Sequence, residues 1–183
     1  IEDLGLEKWG NRVPQLSFEV TRAAKGGRGL SRQVQAVAMI PGTGEYSLAT
    51  TPVSYDMGLG ETQVINHNTA LAPTDFQASM RVLGRELPNV GSVSLVVSWF
   101  GDDLRAGNCM VRPGVEVDTK TTTPSAWVVN GVSRASAFLV SRDAEDRPVY
   151  GGTPADFAVV QAIQEMKARG LRVTFYPFIL MDI

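Results

Sequence analysis

Along residues 13–22, Leu16, Phe18 and Val20 alternate with Gln15, Ser17, Glu19 and Thr21, which predicts a strand with one face in water. Pro14 has no amide hydrogen to give a ladder and makes the start of that strand an edge or an entry. The segment AAKGGRGL, residues 23–30, predicts a flexible loop with two cations. From Ser31 onward, the spacing of Val34, Val37 and Ile40 fits one side of a short helix that Pro41 and Gly42 stop. Residues 42–60 are rich in Gly, Thr, Ser and Pro, which predicts turns and short strands without evident chemistry.

Near residue 70 the period changes. Phe76, Met80, Leu83 and Leu87 form an apolar stripe at helical spacing, and Thr74 with Gln77 three positions on matches a capping box. That helix is expected to stop before Pro88, and residues 90–100, VGSVSLVVSWF, read as a buried strand. A second start signal combines Thr153 at the cap, Pro154 at the first helical position and the acid Asp156. It predicts a helix to about Arg169 that turns Phe157, Val160, Ile163 and Met166 inward, ended by a left-handed Gly170.

The last stretch, LRVTFYPFILMDI at 171–183, is a near-continuous apolar run of the kind that fills a strand buried on both faces. Two such strands joined through a helix predict parallel pairing with a right-handed crossover. The intervening excursion, residues 101–152, is too long for a bare loop. Within it, Asn130-Gly131 between Val129 and Val132 is a strong hairpin signal. Ile1 is not a start methionine, no signal peptide opens the chain, and a strand of the final type normally has neighbours on both sides. The expectation is a piece of a longer polypeptide.

Composition narrows the function. With 17 basic and 19 acidic residues the net charge is −2, so there is no broad basic field and direct nucleic-acid binding is not expected. The longest uncharged stretch, 87–101, is interrupted by Pro, Asn, Gly and Ser and is too short for a membrane span. A single cysteine, Cys109, excludes an internal disulfide, and a single histidine, His67, removes most imidazole-based schemes. His67 lies in a polar connection with no second ligand nearby, and Cys109 has no histidine partner in its segment. The GGRG loop at 26–29 lacks the phosphate-cradle pattern. No metal or cofactor is expected, and acid or base chemistry falls to carboxylates.

Three acids stand where such chemistry is often placed. Asp102 and Asp103 follow one apolar strand and Asp182 follows the other, at the carboxyl ends where parallel barrels and open α/β sheets keep their sites. Glycoside hydrolysis needs one proton donor and one anion at such a mouth. The plainer role is the favoured one, since Asp is common wherever a strand meets a turn: Asp102 and Asp103 capping a turn and pairing with Arg105, and Asp182 ending a strand. Trp99 and Trp127, with Tyr150, are candidates for stacking on sugars or for ordinary core packing.

Three segments, WFGDDLRAGNCMVRPGVE at 99–116, YGGTPADFAVVQAI at 150–163 and ARGLRVTFYPFILMDI at 168–183, carry a family likeness. They resemble the opening of the TIM-barrel-like, glycoside-hydrolase-related domain in the large baseplate hub protein of gene transfer agents and related phage tails. The likeness spans roughly residues 65–183. GNRVPQLSFEV at 10–20 and IPGTGEY at 40–46 are similar to the tail-hub portion that precedes that barrel.

The resemblance implies an α/β chain: a β-rich tail-hub segment at 1–68, then the first βα units of a TIM-barrel-like domain at 69–183 with a long insertion at about 101–152. It implies a structural part of a tail baseplate in a virion-like particle, assembled in the bacterial cytoplasm, whose hub meets the recipient cell envelope. Expected partners are further copies of the chain, neighbouring tail proteins and an envelope glycan. The alternative it leaves open is a glycoside hydrolase acting on envelope polysaccharide or peptidoglycan. No catalytic pair transfers residue by residue, because a barrel of eight strands spreads its acids over several strand tips.

Overall fold

The structure is a computed structural model that describes residues 29–41 and 44–183. The strand expected at 13–22 and most of the loop expected at 23–30 lie outside the described residues.

The described residues begin with one helical turn, α1 (Leu30–Gln33), followed by strand β1 (Ala36–Met39). The helix expected through Val34, Val37 and Ile40 is therefore corrected. Only one turn forms, and Val37 and Met39 instead pack against the core as alternate residues of a strand. The spacing of three fits a helix, but Val37 and Met39 also alternate as in a strand, and the neighbouring sheet decides. A hairpin follows, β2 (Ser54–Gly58) with β3 (Glu61–Val64), antiparallel.

Helix α2 (Asp75–Glu86) starts at the expected cap: the Thr74 hydroxyl accepts from the Gln77 amide. Strand β4 (Ser92–Gly101) comes next. The excursion beyond it is built of short pieces: β5 (Val111–Arg112), β6 (Gly114–Val115), β7 (Thr122–Thr123), β8 (Val128–Val129), β9 (Val132–Ser133), a 3-10 turn at Arg134–Ser136 and β10 (Phe138–Leu139). Asn130 and Gly131, with φ of 49° and 78°, make the expected tight turn between β8 and β9. Helix α3 (Asp156–Ala168) and strand β11 (Arg172–Met181) complete the order.

One sheet organises the described chain. Its order is β1-β4-β11, with both neighbours parallel to β4. The register of β4 with β11 is unbroken from Ser92↔Arg172 to Gly101↔Met181. The chain is thus mixed α/β, and its central sheet takes β1 from one side of residue 68 and β4 and β11 from the other.

Packing follows the pleat. Val93, Leu95 and Val97 of β4 join Phe76 and Met80 of α2 and Ala158, Ala162 and Met166 of α3 in the main core. Near the carboxyl end of β4, Phe100 is fully buried beneath the excursion, with Phe138 and Tyr150 at ring-centre distances of 5.9 and 5.8 Å.

Two expectations are corrected at α3. The cap is Ala155, not Thr153. Thr153 is withdrawn into the interior, where its hydroxyl accepts from the Gly114 amide and its carbonyl accepts from the Trp127 indole. Of the four residues expected inward, Met166 is buried and Phe157 and Ile163 pack partly buried against the core, while Val160 is exposed; Ala158, Val159 and Ala162 complete the buried stripe. Small residues on the inner face let the helix lie close to the sheet, which shifts the apolar flank outward. Gly170 does end the helix with a left-handed φ of 78°.

Strand β11 forms where expected but is not buried on both faces. Phe175 and Ile179 on one side, and Tyr176 and Phe178 on the other, are each 43–49% exposed. Among the described residues β11 pairs only with β4.

Candidate functional site

The three expected acids lie near the carboxyl end of the sheet, and each holds a backbone amide or a guanidinium. Asp102 accepts from the Met110 amide at 2.8 Å and so pins the loop after β4. Asp103 takes the Arg105 side chain through contacts of 2.9 Å to Nε and 2.6 Å to Nη2, and also its amide. Those bonds to Arg105 hold its carboxyl below the usual range, and Asp103 in turn raises Arg105. Asp182 is buried, and its carboxylate accepts from the Ser141 amide at 2.8 Å while its own amide donates to the Gly101 carbonyl. Asp102 and Asp182 follow paired residues of neighbouring strands, Gly101 and Met181, yet their carboxylates serve different loops.

The tryptophans are equally placed for packing. Trp127 is 1% exposed, and its indole donates to the Thr153 carbonyl, so its ring faces protein and not solvent. Trp99 packs partly buried against the main core. Tyr150 covers Phe100 and donates to the Met181 carbonyl at 3.3 Å.

The strongest concentration of charge lies elsewhere, at Glu45, in a segment that the sequence read as devoid of chemistry. Glu45 and Arg134 form an ion pair with side chains 2% and 8% exposed. Arg134 Nη1 reaches Glu45 Oε1 at 3.0 Å and the Val117 carbonyl at 2.7 Å, and Nη2 reaches the other Glu45 oxygen and the Tyr46 hydroxyl. Burial alone would lower the Arg134 pKa, but the bonds and charge of Glu45 outweigh it and the net direction is upward. Burial pushes the Tyr46 hydroxyl up, against the opposing bonds from Thr122 and Arg134.

Glu45 also ties segments of backbone together. Its Oε1 accepts from the Glu116 amide at 3.1 Å, and its carbonyl accepts from the Ala155 amide at 2.8 Å. Gly152 lies against it so closely that a Cβ there would meet Glu45 Cγ at 2.7 Å. The turn after β1, the residue following β6, the 3-10 turn and the entry to α3 are thereby joined at one residue.

Glu116 is the chemically unsettled member. Its pKa is raised, first by burial and then by the nearby Glu45 charge, against Lys120, Arg134 and the Gly152 amide. It lines a cleft of about 610 Å³ with Glu45, Tyr46, Asn68, Asp75, Ser79 and Lys120, floored by Met39, Ile40 and Phe76. Met39 ends β1 and Ile40 follows it, so the cleft opens at the carboxyl edge of the parallel sheet.

No signal in the sequence pointed to Glu45, Glu116 or Arg134. They come together over separations of up to 89 positions, and neither periodicity nor motif encodes that. Among the described residues, no group of three or more His, Cys, Asp or Glu could hold a metal ion, and no helix is long and apolar enough to cross a membrane. Comparison of the chain with protein-family models and with curated proteins gives no match.

Proposed function

We propose that this chain is a structural part of the tail baseplate hub of a phage-like gene transfer agent particle, in a TIM-barrel-like portion of that hub. The observation that carries the reading is the succession β1, α2, β4, long excursion, α3, β11 around one parallel sheet. From α2 onward it coincides with the segments whose sequence resembles the barrel opening of the hub protein. The helices cover one face of β4, while β11 offers an edge and two apolar faces, which suits a stave of a larger assembly. The acids at the strand tips act as loop clamps, and this favours assembly over catalysis. Cryo-electron microscopy of particles purified from the source cells tests the reading. Density for this sheet at the distal tail end is the expected result, and particles that lack the chain altogether would overturn it.

A glycoside hydrolase is the second reading, favoured by one feature: a carboxyl with raised pKa, Glu116, in a cleft at the carboxyl edge of a parallel sheet. It predicts sugar release from envelope polysaccharide or peptidoglycan by the full-length protein. Release should be abolished by Glu116→Gln. Absence of release from either substrate retires the enzyme and leaves the structural role.

A further inference from the structure

The sheet β1-β4-β11 has two open edges among the described residues, and the ladder fixes which backbone groups each edge offers. The Ser92 amide donates to the Gln35 carbonyl, so odd-numbered residues of β1 bond to β4, and Ala36 and Ala38 turn their N–H and C=O outward. The amides of Arg172 and Asp182 donate to the carbonyls of Gly91 and Gly101, so even-numbered residues of β11 bond to β4. Val173, Phe175, Pro177 and Ile179 therefore face outward, and Pro177 has no N–H to offer there.

The side chains at the two edges are complementary. Phe175 and Ile179 pair in register with Leu95 and Trp99, on the face of the sheet that the helices cover, and are 49% and 48% exposed. On that same face the edge of β1 borders an apolar groove of about 670 Å³ against α2, lined by Val37, Met39, Ala78, Val82, Leu83 and Leu87. One edge carries protruding apolar side chains, and the other a hollow that would take them. A ladder between two copies of β11 related by a two-fold axis is antiparallel, sets Pro177 near the middle of the ten-residue strand where a bond is lost, and leaves the groove empty. β1 has only four residues, so a parallel ladder beside it uses Arg172 to Phe175 and leaves Pro177 beyond its end.

We propose that β11 of one copy adds in parallel to the β1 edge of a second copy, with Phe175 seated in the groove between β1 and α2. Donor and acceptor are different edges, so the contact is heterologous and successive copies continue one sheet. The inference rests on the reading of this sheet as part of a larger assembly and names the surface that receives β11.

The test uses the full chain with Cys109→Ser and one new cysteine per variant, Ala38→Cys or Thr174→Cys. Both positions are exposed. Across the proposed contact they lie one strand spacing apart, about 4.8 Å, whereas within one copy β4 separates them by about twice that, beyond disulfide reach. Under mild oxidation, an equimolar mixture should form linked dimer about tenfold faster than either variant alone. Ala38→Pro removes an outward N–H and no bond to β4, and should weaken self-association about tenfold in sedimentation velocity with an unchanged unfolding midpoint. No faster linkage in the mixture overturns the proposal, as does linkage by Thr174→Cys alone at the same rate, or undiminished association of folded Ala38→Pro. Should Ala38→Pro not fold, the cysteine mixture decides. Each of these failures removes this contact alone, and the baseplate reading falls only with particles that lack the chain.

Discussion

Glu45 shows how much one buried carboxylate can hold. It is 3% exposed and joins Arg134, the Glu116 amide and, through its carbonyl, the start of α3. Removing one partner of a buried ion pair strands the other in a poor solvent, at a cost of about 3–5 kcal/mol. Glu45→Gln and Arg134→Met should each lose stability of that order in urea unfolding. The double variant should lose clearly less than the sum, because neither charge is then left alone. Additive losses would mean that the two side chains do not act as a pair. Glu116 gives a prediction with the opposite pH sign from a clamped acid. Its folded pKa is raised, so the folded state binds more protons than the unfolded chain above the ordinary glutamate value. Stability from this group is therefore present at acid pH and declines as pH rises through that value to the raised one. Asp103 and Asp143, both lowered, contribute in the reverse direction, gaining as pH rises. The difference between the wild type and Glu116→Gln isolates the Glu116 share. It should favour the variant increasingly from acid to neutral pH, and a flat difference would contradict the burial of that carboxyl.

At the scale of elements, local signals decided what local forces decide. The Thr74 cap, the Gly170 stop and the Asn130-Gly131 turn were legible because each rests on contacts within a few residues. The parallel pairing of β4 with β11 was legible too, since two apolar strands linked through a helix leave little other choice. β1 was not. Val34, Val37 and Ile40 fit a helix, and only the edge of β4 at Ser92–Leu95 makes residues 36–39 a strand. The same limit hid the ion pair, whose partners meet only after the excursion folds back over the sheet. Val160 was misplaced on the inner stripe of α3, and the alanines that line it were missed, for a physical reason that can be tested. Ala158 and Ala162, both 0% exposed, set how close the helix sits to β4 and β11. Ala162→Leu inserts three heavy atoms into a closed space and should cost about 1–3 kcal/mol in thermal or urea unfolding. Val160→Ala, on the exposed flank, should change stability by less than about 0.5 kcal/mol. Equal effects at the two positions would restore the stripe expected from periodicity.

For the whole molecule, the decisive feature is the unequal covering of one sheet. β4 lies between two strands, with Val93, Leu95 and Phe100 at 0% exposure, whereas β11 displays Phe175, Tyr176, Phe178 and Ile179. Four large apolar side chains in sequence on an edge strand form a surface that water disfavours and that another apolar surface or strand can cover. The described chain should therefore associate with itself as its concentration rises, and sedimentation velocity would show a shift to larger species. Phe175 and Ile179 point to the same side of β11, as do Tyr176 and Phe178 to the other, because strand residues alternate. A variant carrying Phe175→Lys and Ile179→Lys should suppress the association while leaving the unfolding midpoint nearly unchanged, since both positions are about half exposed. The control is Leu95→Ala on β4, which should lower the midpoint by opening a cavity worth about 2–5 kcal/mol. If the lysine variant unfolds as readily as the control, β11 depends on contacts across those side chains within a single copy. If it folds normally and still associates, the Phe175–Ile179 face is not the one covered, and the same change at Tyr176 and Phe178 tests the other face; association that survives both variants removes the physical basis for reading β11 as a stave offered to a larger assembly.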